Sequence, residues 1–284
     1  MMGFAFHFAG GAAFYPGLLC AIAGLTIACF ASRRVIAAPA RIVTVLGALL
    51  VILSATPSPL LLYLSWSISL AMSLVARPRK DSPKKRRQYA TLAVAALLTV
   101  AMGVMEWPYR MRTSIPYRAS GVLYELGDSL SMGADTLDGN WPALLADKAG
   151  MRVKSFAFGG ARLQTALSNA DRVESDASLI IVELGGNDIF YDTSSKDFAQ
   201  NLDAMLTKLA KHQAPVVLLE LPLPPFYNAF GAAQRRLANQ HGAILVPKSV
   251  LATVLATPGA TADGLHLSPA GHALLADTLW SMRG

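Results

Sequence analysis

The chain has 284 residues, 15% of them charged, a mean hydropathy of +0.40 and a formal net charge of +7. That is too little charge to coat an ordinary soluble surface, so the apolar excess must be gathered somewhere specific. Residues 1–118 carry 13 Lys/Arg against 2 Asp/Glu and residues 119–284 carry 12 against 16, which excludes a basic nucleic-acid face on the C-terminal part. Both cysteines, Cys20 and Cys29, fall in the first apolar run, so the polar part has no thiol to attack a substrate or hold a metal.

From Met1 to Ser32 there is no Asp, Glu, Lys or Arg, and the run is long enough to cross a hydrocarbon core, which takes about 20 apolar helical residues. It lacks the basic start and polar sequel of a cleaved signal peptide. Its one histidine, His7, is cheap to accommodate as a neutral imidazole near a helix end and is not singled out as a functional group. Further apolar runs cover Ile42 to Thr56, Leu60 to Ala76 and Tyr89 to Trp107, the second of the four being the weakest. Between them lie Arg33, Arg34 and Arg41, then the uncharged "TPSP", then "RPRKDSPKKRRQ" from Arg77 to Gln88. The positive-inside rule turns this spacing into one topology: N-terminus outside, both basic loops in the cytoplasm, and everything after Trp107 outside, with Trp107 and Tyr109 as interfacial anchors. The expected organisation is a membrane region at 1–107 with about four helices, a linker at 108–118, and a globular domain at 119–284. About 13 residues join Trp107 to the first strand, a reach of at most about 45 Å, so an active site there stays near the bilayer.

The globular part alternates short β-like runs with helix-period stretches. The runs are "GVLYELG", "MRVKSFAF", "SLIIVELGG", "PVVLLELP" and "AILVP". Val, Ile and Leu without strict alternation read as strands buried on both faces, and strand-helix alternation implies a parallel sheet with helices on each side. In such a sheet, sites form beyond the carboxyl ends of the strands. Ser129 follows the first strand, "FGGAR" the second and "GGNDIF" the third.

A serine hydroxyl attacks only when a base removes its proton, so a histidine is required. His212 and His241 lie in or beside helical stretches. Of the two in "DGLHLSPAGH", His266 precedes a helix signalled by Ser268 as N-cap and Pro269 at its first position, while His272 is one turn inside it. A loop position can aim a ring at the strand ends, and Asp263 on the same loop can fix its tautomer. The oxyanion needs donors as well: the backbone N–H of Ser129, that of Gly160 or of its neighbour Gly159, and the Asn187 amide. Asp128 is expected to shape the turn. Phe226 and Tyr227, after the fourth strand, are candidates to line an acyl pocket.

The blocks "GDSLSMG", "SFAFGGAR", "GGND" and "DGLH" resemble, in that order, those of the GDSL-type or SGNH hydrolases. The resemblance covers residues 119–284 and none of the membrane part, and "LELPLPPFYNAF" is similar to the substrate-side loop of the thioesterase I/lysophospholipase L1 and arylesterase branch. It implies a three-layer α/β/α fold with a five-stranded parallel sheet of flavodoxin type, behind an all-α transmembrane region. It also implies Ser129, Asp263 and His266 as triad, and Ser129, Gly160 and Asn187 as oxyanion hole. The glycine block departs from the family pattern, which often has an asparagine where Ser155 stands. The expected protein is a serine esterase with no cofactor and no metal, in a bacterial inner membrane, its catalytic domain on the periplasmic or extracellular side. Its substrate would be a small-molecule, lipid or glycan ester and its other partner the bilayer, with no nucleic acid; oligomeric state is left open. Acyl or acetyl transfer to an envelope glycan uses the same residues, and a non-catalytic membrane scaffold is the alternative from another class.

Overall fold

In a computed structural model the described residues are 2–31, 34–75, 84–132 and 139–284. Arg33 and the 77–83 part of the second basic loop lie outside them, as does Gly133 at the end of the serine block. The chain divides into two compact units, one of Gly11–Arg110 and one that joins Met1–Gly10 to Met111–Gly284. In chain order the helices and strands begin with α1 (Met2–Ala9), α2 (Phe14–Phe30), α3 (Arg34–Leu53), α4 (Leu60–Val75) and α5 (Lys84–Glu106). The first apolar run is therefore not one helix. The chain breaks at the Gly10–Gly11 pair, where Gly11 takes φ +77°, a backbone conformation that side chains disfavour, and α1 joins the other unit.

Within the helical unit, α2 and α3 approach closely because small residues line their contact. A Cβ at Gly24 would lie 2.6 Å from the Ala40 carbonyl, and one at Gly17 2.9 Å from that of Gly47. Such stripes of small residues let helix backbones approach closely. Trp66 Nε1 donates to Thr99 Oγ1 at 2.9 Å between α4 and α5, and Tyr15 Oη donates to the Gly103 carbonyl at 2.9 Å between α2 and α5. Among the described residues two helices, Val35–Leu53 and Gln88–Arg110, are long and apolar enough to cross a membrane; Phe14–Phe30 and Leu60–Val75 are shorter apolar helices. The third helix starts eight positions before the expected run at Ile42 and takes Arg34 and Arg41 into its first two turns. That lengthens the run the sequence reads as weakest, with Pro39 tolerated inside.

The second unit continues with β1 (Val122–Gly127), α6 (Trp141–Ala149), β2 (Arg152–Ser155), α7 (Leu163–Ala166), β3 (Ala177–Glu183), α8 (Gly186–Phe190) and α9 (Ser195–Leu209). It ends with β4 (Val216–Leu219), α10 (Asn228–Gln240), β5 (Ile244–Val246), α11 (Lys248–Ala256) and α12 (Pro269–Trp280). The five strands form one sheet in the order β2-β1-β3-β4-β5, every pairing parallel. This is the doubly wound order whose strand direction switches between β1 and β3, where ligands bind beyond the strand ends. One apolar cluster packs α9 and α10 on one face, around Tyr124, Val182 and Phe198; a second packs α6, α11 and α12 on the other, around Leu123, Trp141 and Leu275. The expected 108–118 linker is partly structured: Ile115 is fully buried, and its N–H donates to the Met282 carbonyl at 2.8 Å.

Candidate active site

β1 ends at Gly127, and the next residues form a tight turn rather than a helix. The Leu130 N–H donates to Asp128 Oδ1 at 2.8 Å and the Ser131 N–H to the Asp128 carbonyl at 3.1 Å. Asp128 thus shapes the turn, as the sequence suggests, and leaves Ser129 at its apex. At the far end of the chain a loop holds His266 opposite. Thr261 pairs with Leu267, the Ala262 N–H donates to the His266 carbonyl at 2.9 Å, and Ser268 caps α12 by accepting from the Gly271 N–H at 3.1 Å.

His266 Nε2 lies 3.2 Å from Ser129 Oγ, and His266 Nδ1 lies 2.7 Å from Asp263 Oδ2. A carboxylate can only accept, so Nδ1 carries the proton and the Nε2 lone pair faces the hydroxyl. Asp263 Oδ1 accepts from the backbone N–H groups of Leu265 and His266 at 2.9 and 2.8 Å. The His266 hydrogen bond first, and these two N–H groups after it, hold the Asp263 carboxyl well below the usual carboxylate range, so it stays ionised. His272, the other histidine of that block, is buried in α12. Its Nδ1 accepts from the Trp141 N–H at 3.2 Å, and burial lowers its pKa; it is a neutral tie between α12 and α6.

Asn187 sits in the first turn of α8, after Gly185 at φ +114°. Its Nδ2 donates to Asp128 Oδ2 at 3.0 Å and to the Ala161 carbonyl at 3.1 Å, which fixes the amide beside the serine turn. Asp188 Oδ2 accepts from the Leu163 N–H at 3.0 Å and so secures the start of α7. Gly160 takes φ +72°, in the loop that follows β2; Gly159, the alternative donor, has no such constraint.

Beneath the turn lies a group of buried acids that the sequence reading did not anticipate. Glu183 Oε2 accepts from Ser131 Oγ at 3.1 Å, and Glu125 Oε2 accepts from Ser155 Oγ at 2.6 Å. Burial pushes the Glu125 carboxyl up to about 7. It raises Asp128 as well, and Glu183 further still, with the Asp128 charge adding to that rise. Burial and the Asp128 charge together disfavour the ionised form of Glu183, so the two carboxyls titrate as a pair rather than one by one.

An apolar cavity of about 210 Å³ opens beside these groups. Ser129, Asn187 and His266 form its polar end, while Leu221 and Leu223 from the loop after β4 and Leu251 and Leu255 from α11 line its walls. Phe226 and Tyr227 are not among the lining residues. The Tyr227 N–H donates to the Pro224 carbonyl at 3.3 Å, and this turn puts Phe226 at φ +77° and 80% exposed, while Tyr227 packs on Phe230. A wall residue that no motif pointed to is Phe6 of α1; the only sequence signal for it is the Gly10–Gly11 pair that ends its helix.

The model of the GDSL-like Lipase/Acylhydrolase family matches residues 126–274, more than half of the chain. The Esterase TesA of Pseudomonas aeruginosa is 32% identical over 181 residues, covering 57% of this chain and 87% of that protein. The Thioesterase 1/protease 1/lysophospholipase L1 of Escherichia coli K12 is 28% identical over 188 residues, 61% of this chain and 90% of the other. The crystal structure of TesA superposes with a TM-score of 0.52 at 29% identity, over 57% of this chain and 97% of its own. The psychrotrophic esterase EstA of Pseudoalteromonas, at 21% identity and a TM-score of 0.52, shares the fold. With the matched span running from the end of β1 to the middle of the last helix, the chain belongs to the GDSL-like lipase/acylhydrolase family and is a hydrolase of the esterase type.

Proposed function

We propose that this chain is a membrane-anchored serine esterase that cleaves an acyl ester or thioester through an acyl-enzyme. The carrying observation is the line from Asp263 through His266 to Ser129 Oγ, at 2.7 and 3.2 Å. In this reading His266 takes the Ser129 proton as Oγ bonds to the acyl carbon, then gives it to the departing alkoxide or thiolate. Water repeats the sequence and frees the acid. Asp263 keeps the ring in the tautomer with Nε2 free and stabilises the imidazolium. The oxyanion is met by the N–H groups of Ser129 and Gly160 and by the Asn187 amide, where it competes with the Ala161 carbonyl for one amide hydrogen.

The helices of Gly11–Arg110 are proposed to be four membrane spans, in a bacterial inner membrane with the hydrolase on the periplasmic or extracellular side. Supporting this is an outer face that includes exposed Leu19, Ile42, Leu61, Leu97 and Val104, a density of apolar surface that water does not tolerate well. An ester borne by an envelope lipid or glycan then suits an enzyme tethered at the bilayer. The test is fluorophosphonate labelling together with p-nitrophenyl butyrate hydrolysis. Ser129→Ala is expected to lose the label and to lower turnover by about 10⁴-fold or more. Asp263→Asn, which unsettles the tautomer, is expected to cost about 10⁴-fold. Undiminished labelling of Ser129→Ala would refute the assignment.

A further inference from the structure

The matched family span begins at residue 126, yet the cavity beside Ser129 has a wall from the first ten residues. α1 lies against α11 with the two chains running in opposite directions. A Cβ at Gly3 would sit 3.5 Å from the Ala256 carbonyl, and one at Gly10 2.6 Å from Ala252 Cβ. Gly3, Phe6 and Gly10 recur at helical spacing and so share one face. Gly10 allows the close approach, a Cβ at Gly3 being an ordinary contact, and the half-buried Phe6 between them packs with the cluster that holds Leu251 and Leu255. Its ring lines the same cavity as Ser129, Asn187 and His266. His7 is exposed.

The chemistry of this cavity is divided. The polar groups, Asp128, Ser129, Glu183, Asn187 and His266, are joined there by Phe6, Ile189 and the leucines of α11 and of the loop after β4. What those walls take up beyond the reacting carbonyl is hydrocarbon, and each methylene so buried is worth about fourfold in binding.

We propose that α1 is part of the acyl-binding pocket and that Phe6 sets how long an acyl chain the enzyme accepts. The proposal rests on the esterase reading above and adds to it a specificity element outside the family's matched span. Removing the ring enlarges the pocket and favours longer acyl chains; a larger ring closes it.

The experiment uses the full chain in lipid nanodiscs, since detergent would compete for the cavity. Turnover of p-nitrophenyl decanoate relative to p-nitrophenyl butyrate is compared among variants. The decanoate/butyrate ratio of kcat/KM is expected to rise about tenfold in Phe6→Ala and to fall about tenfold in Phe6→Trp. Gly10→Leu, which pushes α1 off α11 without touching the cavity, is expected to follow Phe6→Ala, and His7→Gln to keep the wild-type ratio. A second readout does not depend on catalysis: decanoate binding by calorimetry in the Ser129→Ala protein, expected to weaken about tenfold when Phe6→Trp is added. If no ester is turned over but this binding difference persists, the esterase reading fails and the pocket assignment stands. Equal ratios across the Phe6 variants, or equal decanoate affinity with and without Phe6→Trp, overturn the proposal.

Discussion

Glu125 on β1 stands in register with Ser155 on β2, and the pair fills the place beneath the serine turn. Glu125 faces Ser155 from β2, Ser131 and Asp128 from the turn, and Glu183 from β3, with no cation among the groups that shift it. In the unfolded chain its carboxyl titrates at the ordinary value of 4.5; in the folded protein burial lifts it to about 7. Between these values the folded state holds the extra proton, so stability falls as pH rises through the window and levels off above it. Glu125→Gln, which retains an acceptor for Ser155, is therefore expected to flatten the fall in melting temperature between pH 5 and 8. Its gain over wild type should appear at the alkaline end, as differential scanning calorimetry would record. A parallel fall in both proteins would assign the pH dependence elsewhere. Single residues were legible in the sequence to very different degrees. Ser129, Asp263 and His266 stand out because their chemistry is tied to short local motifs. Glu125 does not, because its significance comes from a neighbour thirty positions away that only the strand register supplies. Phe226, a candidate pocket residue by sequence, lies outside the cavity lining, because composition gives an aromatic ring but not its direction, which the turn at Pro224 sets.

At the scale of elements, the strands and the last helix follow from patterns a sequence displays well: buried aliphatic runs and a Ser-Pro start. The cap has a consequence for the site. Ser268 both accepts from the Gly271 N–H and donates to the Gly259 carbonyl at 2.5 Å, so it ties the start of α12 to the base of the loop that carries Asp263 and His266. Ser268→Ala is expected to cost about 1 kcal/mol of stability and to lower kcat more than it raises KM, because the loop then holds His266 less firmly. Urea unfolding and steady-state kinetics would check both; an unchanged kcat would mean the loop is held without the cap. At the other edge, Glu220 at the end of β4 accepts from Arg235 Nε at 2.6 Å and from the Lys248 N–H at 3.1 Å. That anchors the start of α11, the helix on which α1 lies. The docking of α1 was not legible, for a physical reason: an uncharged helix has the same hydropathy whether its apolar face meets lipid or another helix. The break at Gly10–Gly11 was the one available cue, and turn chemistry outweighed the continuity of the apolar run.

For the whole molecule, the charge asymmetry and the family blocks were sufficient to separate a basic, apolar part from an acidic hydrolase. The compact units differ from the expected division in that Met1–Gly10 and the stretch from Met111 fall with the hydrolase. The proposed topology makes a direct prediction. In a bacterial host the full chain is expected to resist alkaline carbonate extraction, and alkaline phosphatase fused after Gly284 is expected to be active, as it is only outside the cytoplasm. An inactive, stable fusion would invert the orientation. The division of the hydrolase unit has a further effect, on the order of assembly. Gly10 and Ala252, which meet across α1 and α11, are more than 240 positions apart in the chain. A growing polypeptide therefore makes its first helix long before the surface that receives it exists. Until α11 has left the ribosome that helix lacks the surface it lies against in the folded protein, and this wall of the cavity cannot form before then.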